Sequence, residues 1–413
     1  MGRQLRNVAA LIAAVTILQL ANGIIGVRLP LAFTADGYSI AELGIVAACY
    51  SAGFMLGAAV ATVLLARVGH IRVYAACAAL FVAFTLMLHF AGGVWAWGLA
   101  RMAAGVAVAL LFAVAESWLS SSINPNARGE IVAIYMVATK AALAVGPFLV
   151  IAMPHDAPET WMLAAMVAAI SIAPICFTSS AQPEPPRAQP LALVEQFATA
   201  PAAVIASFGA GFINTGVLAL APLYADQNYG HGSAAPFLAA AWIGSLLLQW
   251  PAGMLSDRID RRLVIAGLTA MTAAVSLLLA MFGGASQSLG VFLFLLWGAG
   301  ALSFYGVAVA HMADRAEPGK LAQSASGLLF VWAGGSVLGP ILMGPLVDLA
   351  GVGGMFLFAA AASGLLTAAM FWRRGAREAA ETKESFSNQP ATSVAASEIA
   401  YGEESEQGGL PAR

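Results

Sequence analysis

The chain is poor in charge. Only 10% of its 413 residues are Asp, Glu, Lys or Arg, against about a quarter in an average soluble domain. A wholly water-facing surface is therefore excluded. The formal net charge of −2 and the lack of a basic arm leave no footing for nucleic acid. Cysteine is scarce too: Cys49, Cys77 and Cys176 stand in separate apolar runs, which leaves neither a disulfide framework nor metal-ligand spacing. No metal and no cofactor are expected. A phosphate-binding G-x-x-x-x-G-K-S/T loop is missing, and no carboxylate pair, histidine cluster or nucleophile with its base falls at one depth. These gaps set aside an ATP-driven pump and an enzyme. The five histidines sit at or near run ends and receive no role.

Apolar side chains make up the difference, at 60% of the residues and a mean hydropathy of +0.83. Runs of about 20 residues, long enough to cross a ~30 Å hydrocarbon layer as helix, recur from end to end. Six fall at about 8–33, 40–66, 71–91, 94–119, 130–153 and 160–179. Six more fall at about 197–225, 234–255, 263–283, 289–312, 321–347 and 353–372. Between the sixes, SAQPEPPRAQP is too rich in proline and charge for a membrane helix. The expected layout is a six-helix bundle over 1–179, a cytoplasmic linker over 180–196, a second bundle over 197–374 and a disordered polar tail over 375–413.

Charge position sets the expected orientation. With both termini on one side, every Lys and Arg except Arg28, Arg101 and Lys140 falls on that side, and no loop opposite carries one. The positive-inside rule makes that side cytoplasmic. The basic start before the first run resembles a secretory leader, but the same segment recurs at the head of the second half. It reads as a retained helix.

That recurrence is an internal repeat. A shift of about 192 residues brings Asn22 onto Asn214 and Pro30 onto Pro222; within one residue it also brings Arg67 onto Arg258, Arg128 onto Lys320, and Gly146 with Pro147 onto Gly339 with Pro340. Six spans are an even number, so the copies run parallel, related by an axis along the membrane normal. Such pairs place a binding site between the halves.

The run Gly253, Asp257, Arg258, Asp260, Arg261, Arg262 resembles the G-x-x-x-D-R-x-G-R-R loop of the major facilitator superfamily, with Asp260 in place of the inner glycine. In the first half Arg67, Gly69 and Arg72 fit the same loop, while Ala66 and Thr62 replace its Asp and leading Gly. Arg101, Gly105 and Ala109 match the R-x-x-x-G-x-x-x-A spacing of the fourth helix, followed by Glu116 and Arg128. The resemblance covers residues 8–372 and is nearest to a poorly characterised bacterial branch. It implies an all-α membrane protein of twelve transmembrane helices in two parallel repeats. It also implies that Asp257 latches onto the start of the fifth helix, near Glu130, when the cytoplasmic side closes.

Charges inside the spans point to chemistry, because one at mid-helix costs at least ~2.5–3.5 kcal/mol. At ~1.5 Å per residue, Lys140 lies roughly 15 Å in from the cytoplasmic end of its helix and Arg101 roughly 9 Å in from the outer end. Both are expected to line the cavity and face an anionic substrate, Lys140 also serving to couple protons. The competing reading has them bonded to helix carbonyls or to Gln19 and Asn22. Asn22, Asn214, Gln19 and Tyr305 are further lining candidates, and Arg28 one that also suits snorkelling to the outer surface. Glu116 is expected to pair with Arg67 and Arg128 at the cytoplasmic end. Gly146, Pro147, Gly339 and Pro340 are expected to bend their helices.

The expected function is secondary transport of a small solute, an organic anion, by alternating access with proton coupling. The chain would act as a monomer in the lipid of a bacterial cytoplasmic membrane. Two alternatives stand beside it: a drug or sugar efflux facilitator of the same fold, and a non-transporting scaffold or receptor.

Overall fold

A computed structural model describes residues 2–122, 128–154, 157–178, 197–317, 321–376 and 386. The linker expected over 180–196 lies outside these residues, as do the tail beyond 376 apart from Phe386 and the side chain of Arg128. Among the described residues, twelve helices are long and apolar enough to cross a membrane. In the first half they are α1 (Gly2–Ala35), α2 (Ile40–Val68), α3 (His70–Phe90), α4 (Val94–Ser122), α5 (Arg128–Val145) and α6 (Glu159–Ile170, then Ile172–Cys176). In the second half they are α7 (Pro201–Tyr229), α8 (Ala234–Arg258), α9 (Arg261–Phe282), α10 (Gln287–Ala301, then Phe304–Ala313), α11 (Leu321–Ala350) and α12 (Gly354–Ala376).

Local chemistry places the ends of these helices. Ser39 and Glu42 form a reciprocal capping box at the start of α2. Gly69, at a φ of 89°, turns the chain from α2 into α3, and Gly230, at 85°, ends α7. Pro147 cannot donate to the preceding turn, and α5 passes there into a 3-10 segment, Gly146–Val150. Helix α11 instead remains helical through Pro340 and Pro345. Large apolar side chains such as Leu56, Leu80, Met87 and Leu365 point outward, toward the lipid that such a chain requires.

The two halves are built alike. Helix α1 packs on α5, α2 on α4 and α3 on α6; in the second half α7 packs on α11, α8 on α10 and α9 on α12. Shifting each first-half pair by six gives the second-half pair, which is the parallel repeat. Small residues allow the closest crossings. A side chain at Gly105 would overlap the carbonyl of Tyr50 on α2, and one at Gly298 the carbonyl of Ala241 on α8. The glycine of the fourth-helix spacing thus serves packing within its own half.

Between the halves, α2 lies against α11 and α5 against α8. These contacts gather on the side away from the basic loops. Asp348, near the end of α11, accepts from the backbone amides of Ile40 (3.0 Å) and Ala41 (2.9 Å) at the start of α2. A carboxylate there satisfies two orphan amides and the positive end of the helix dipole. Just inward, Gly44 faces the carbonyl of Pro340 with no room for a side chain, and Gly344 faces Ala41. The molecule is therefore closed on this side.

Removing that cap has a definite expected effect. Asp348→Ala should weaken closure by about 1–2 kcal/mol, roughly 5–30-fold in the ratio of closed to open molecules. Pulsed spin-resonance distances between labels at Tyr38 and Gly351 read that ratio directly. An unchanged distance distribution would refute the capping role.

Candidate substrate cavity

A cavity of about 420 Å³ lies between the halves. Gln19, Asn22, Asn214 and Tyr305 reach it, as do Arg101 and Lys140, the two cations of its wall; no carboxylate lines it among the described residues. Lys140 projects from α5 across the boundary to α8, where its Nζ donates to Ser245 Oγ at 2.7 Å and to Gln249 Oε1. Ser245 and Gln249 are four residues apart, one helical turn, and so present their oxygens on one face. Lys140 thus bonds across the two halves, and its partners are neither helix carbonyls nor Gln19 and Asn22. The Cζ of Arg101 lies over the Tyr50 ring, 4.0 Å from its centroid, a cation–π contact that holds the guanidinium at the wall.

The paired asparagines make different bonds. Asn22 donates to Gln19 Oε1 at 2.8 Å along α1. Asn214 donates to the carbonyl of Ala301 at 2.8 Å, which lies where α10 breaks between Ala301 and Phe304. A broken helix leaves carbonyls without partners, and a buried amide facing the cavity supplies one. The Asn214 Oδ1 is left buried without a hydrogen-bond partner, an acceptor available to a ligand. Tyr305 follows the break and stands edge-on to Trp332, at 6.5 Å between centroids.

Two charged candidates lie inside the protein. Glu116 is fully buried and accepts from Tyr135 Oη at 2.7 Å; Arg67 is exposed at the end of α2, and the expected pairing with Arg128 lies outside the described residues. Since Tyr135 lines the cavity, a carboxylate stands one hydrogen bond behind the wall. Tyr135 itself lies five residues from Lys140 along α5, or roughly 7–8 Å. Arg28 does not snorkel: it is 6% exposed, its guanidinium 5.6 Å from the Trp161 ring centroid. It lines a separate pocket of about 30 Å³ on the closed side, not the central cavity.

The loop between α8 and α9 binds its own half together. Asp260, the residue at the resemblance's glycine position, caps α9 by accepting from the Arg262 amide at 2.9 Å and pairs with the Arg262 guanidinium at 2.8 Å. Burial pushes its carboxyl up, and Arg262 pulls it further down, so it lies below the ordinary carboxylate range. Arg261 grips Asp314 with two bonds of 2.7 and 3.0 Å and lies 3.2 Å from Asp257. Arg262 also donates to the Arg373 carbonyl of α12 at 2.9 Å. Asp257 accepts from the amide of Phe386. Arg258 lies at the exposed end of α8.

Sequence reasoning singled out Asp257 but not Asp314 or Asp348. Asp314 and Asp348 look in sequence like ordinary helix-end acids; only the fold brings 314 to 261 and 348 to 40.

A sequence profile described as the Major Facilitator Superfamily matches residues 11–248 and again 230–403. The chain belongs to that superfamily. It is 27% identical over 343 residues, 81% of this chain and 87% of the relative, to an uncharacterized MFS-type transporter of Enterobacter sp. (strain 638). Among solved structures, a mutant form of the nucleoside transporter NupG superposes with a TM-score of 0.74 at 14% identity, covering 89% of this chain and 99% of NupG. A bacterial homolog of the human lysosomal transporter Spinster, inward-facing and occupied, gives 0.70 at 15% identity over 89% and 96% of the two chains. These facilitator neighbours share the fold, and they are transporters rather than enzymes.

Proposed function

We propose that this facilitator moves a small organic anion across a bacterial cytoplasmic membrane by alternating access, with protons as the coupling ion. The observation that carries this reading is the cavity wall: Arg101 and Lys140 face it and no carboxylate does among the described residues. A charge is retained at membrane depth when a task repays its cost, and an anion is the ligand that two uncompensated cations recognise. Tyr50, Phe54, Trp242 and Trp332 also line the cavity, which favours an anion with a planar apolar body. Proton coupling rests on Lys140, which can release its proton where arginine cannot.

In this orientation the basic loops and both termini face the cytoplasm, and the state described here is open inward. The chain works as a monomer, since each copy holds a complete cavity between its own halves.

Titration calorimetry on the purified protein with salicylate, glucose, uridine and tetraphenylphosphonium tests the substrate class. Salicylate is expected to bind and the other three are not. Uptake of salicylate into proteoliposomes under an imposed pH gradient then tests coupling. Binding of uridine or tetraphenylphosphonium without salicylate would sink the anion reading.

A further inference from the structure

Phe386 lies far along the polar tail, yet its ring is packed among the helices of the second half. Its amide donates to both oxygens of Asp257, at 3.1 and 3.2 Å. Its ring rests on Gly253 of α8 so closely that any side chain there would overlap it, and the ring's far edge faces Gly306 of α10. Gly306 and Gln249 belong to the lining of the central cavity. An extended chain from Ala376 to Phe386 spans at most roughly 35 Å, ample to reach from the end of α12 to this mouth.

The two contacts have different logic. The ring fills an apolar recess that exists because Gly253 has no side chain, and the amide satisfies the carboxylate of the loop that the superfamily resemblance makes a latch. The same carboxylate cannot hold the amides at the start of α5 while it holds Phe386.

We propose that the mouth formed by Gly253, Asp257 and Gly306 is a binding site for the chain's own Phe386, whose docking blocks the path and keeps the halves apart there. The aromatic residue is a tethered ligand. Its release is then a required step before the Asp257 side closes. The blocking and docking rest on geometry alone, while the consequence for closure rests on the alternating-access reading above.

A substrate-free experiment separates these. In a chain carrying Cys49→Ser, Cys77→Ser and Cys176→Ser, Gly306→Cys reports on the recess, since a side chain there would stand 3.5 Å from the Phe386 ring. Alkylation by a water-soluble maleimide applied to the Asp257 face is expected to be slow. Phe386→Ala should speed it by roughly tenfold or more, the factor that burial of one phenyl ring supports. Phe386→Trp should keep it slow, and Asp257→Asn should fall between. Equal rates in all four chains would overturn the docking, whatever the protein transports. A second reporter, Ala47→Cys, labelled from the opposite face, should react faster in Phe386→Ala because more molecules then close on the Asp257 side. An unchanged rate at Ala47→Cys would overturn the link to closure.

Discussion

Lys140→Ala is expected to abolish salicylate binding, weakening it by roughly 30-fold or more, because a buried charge that faces an opposite charge contributes at that scale. The same substitution removes the two bonds to Ser245 and Gln249, so loss of binding could also follow from loosened halves. Two further variants divide these causes. Gln249→Ala loosens the tie and keeps the cation, and salicylate affinity is expected to hold or rise because the anion no longer competes with an amide oxygen. Lys140→Arg keeps a permanent cation; it should bind salicylate but fail to accumulate it under a pH gradient, since arginine does not give up its proton. Calorimetry and proteoliposome uptake measure the two properties separately. Normal salicylate binding by Lys140→Ala would remove Lys140 from the site.

Gly44→Val should stop the cycle by a different route. Even a methyl group at this position would run into the Pro340 carbonyl where α2 crosses α11, and rigid backbone cannot yield as a side chain can. Overpacking of this kind costs about 1–3 kcal/mol, and here the strain is relieved by parting the halves on that side. The variant should therefore fold and insert normally, reside open on the side of Asp348, and lose transport. Gly53→Val is the control. Its side chain would meet the Met102 carbonyl on α4, inside one half, where no rocking relieves it. It should lower melting temperature and yield in every state. Spin-label distances and thermal unfolding together distinguish the outcomes, and a Gly44→Val chain that still closes would show that the crossing is slacker than described.

The spans were legible because lipid imposes a length and a composition that no loop imitates. The repeat was legible because Asn22 and Asn214, and Pro30 and Pro222, keep one spacing through nearly two hundred intervening residues. Lys140 stood out for its solvation cost alone. What the chain hid were meetings across long separations: Asp348 with Ile40, Arg261 with Asp314, Phe386 with Asp257. Asp260 was hidden otherwise. Seen against a motif it is a missing glycine, whereas locally it is a good N-cap residue directly before a helix. Arg28 looked like a surface anchor because its distance along α1 places it near an end, but Trp161 and the pocket around it lie across that end. Distance along a helix fixes depth and leaves direction open.

The place of Lys140 between the halves also has an electrical consequence. Water in an open cavity carries the potential of the compartment it joins, so most of the membrane voltage falls across whichever side is closed. A fixed cation on the cavity wall, Arg101 or a protonated Lys140, then changes potential each time the halves rock, though it hardly moves. Its energy changes by up to about 2.3 kcal/mol per 100 mV, and an inside-negative membrane draws the empty carrier toward the inward-open state. A bound monovalent anion cancels one such charge, and release of the Lys140 proton before the empty return does the same, so Arg101 leaves a voltage dependence in both the loaded and the empty step.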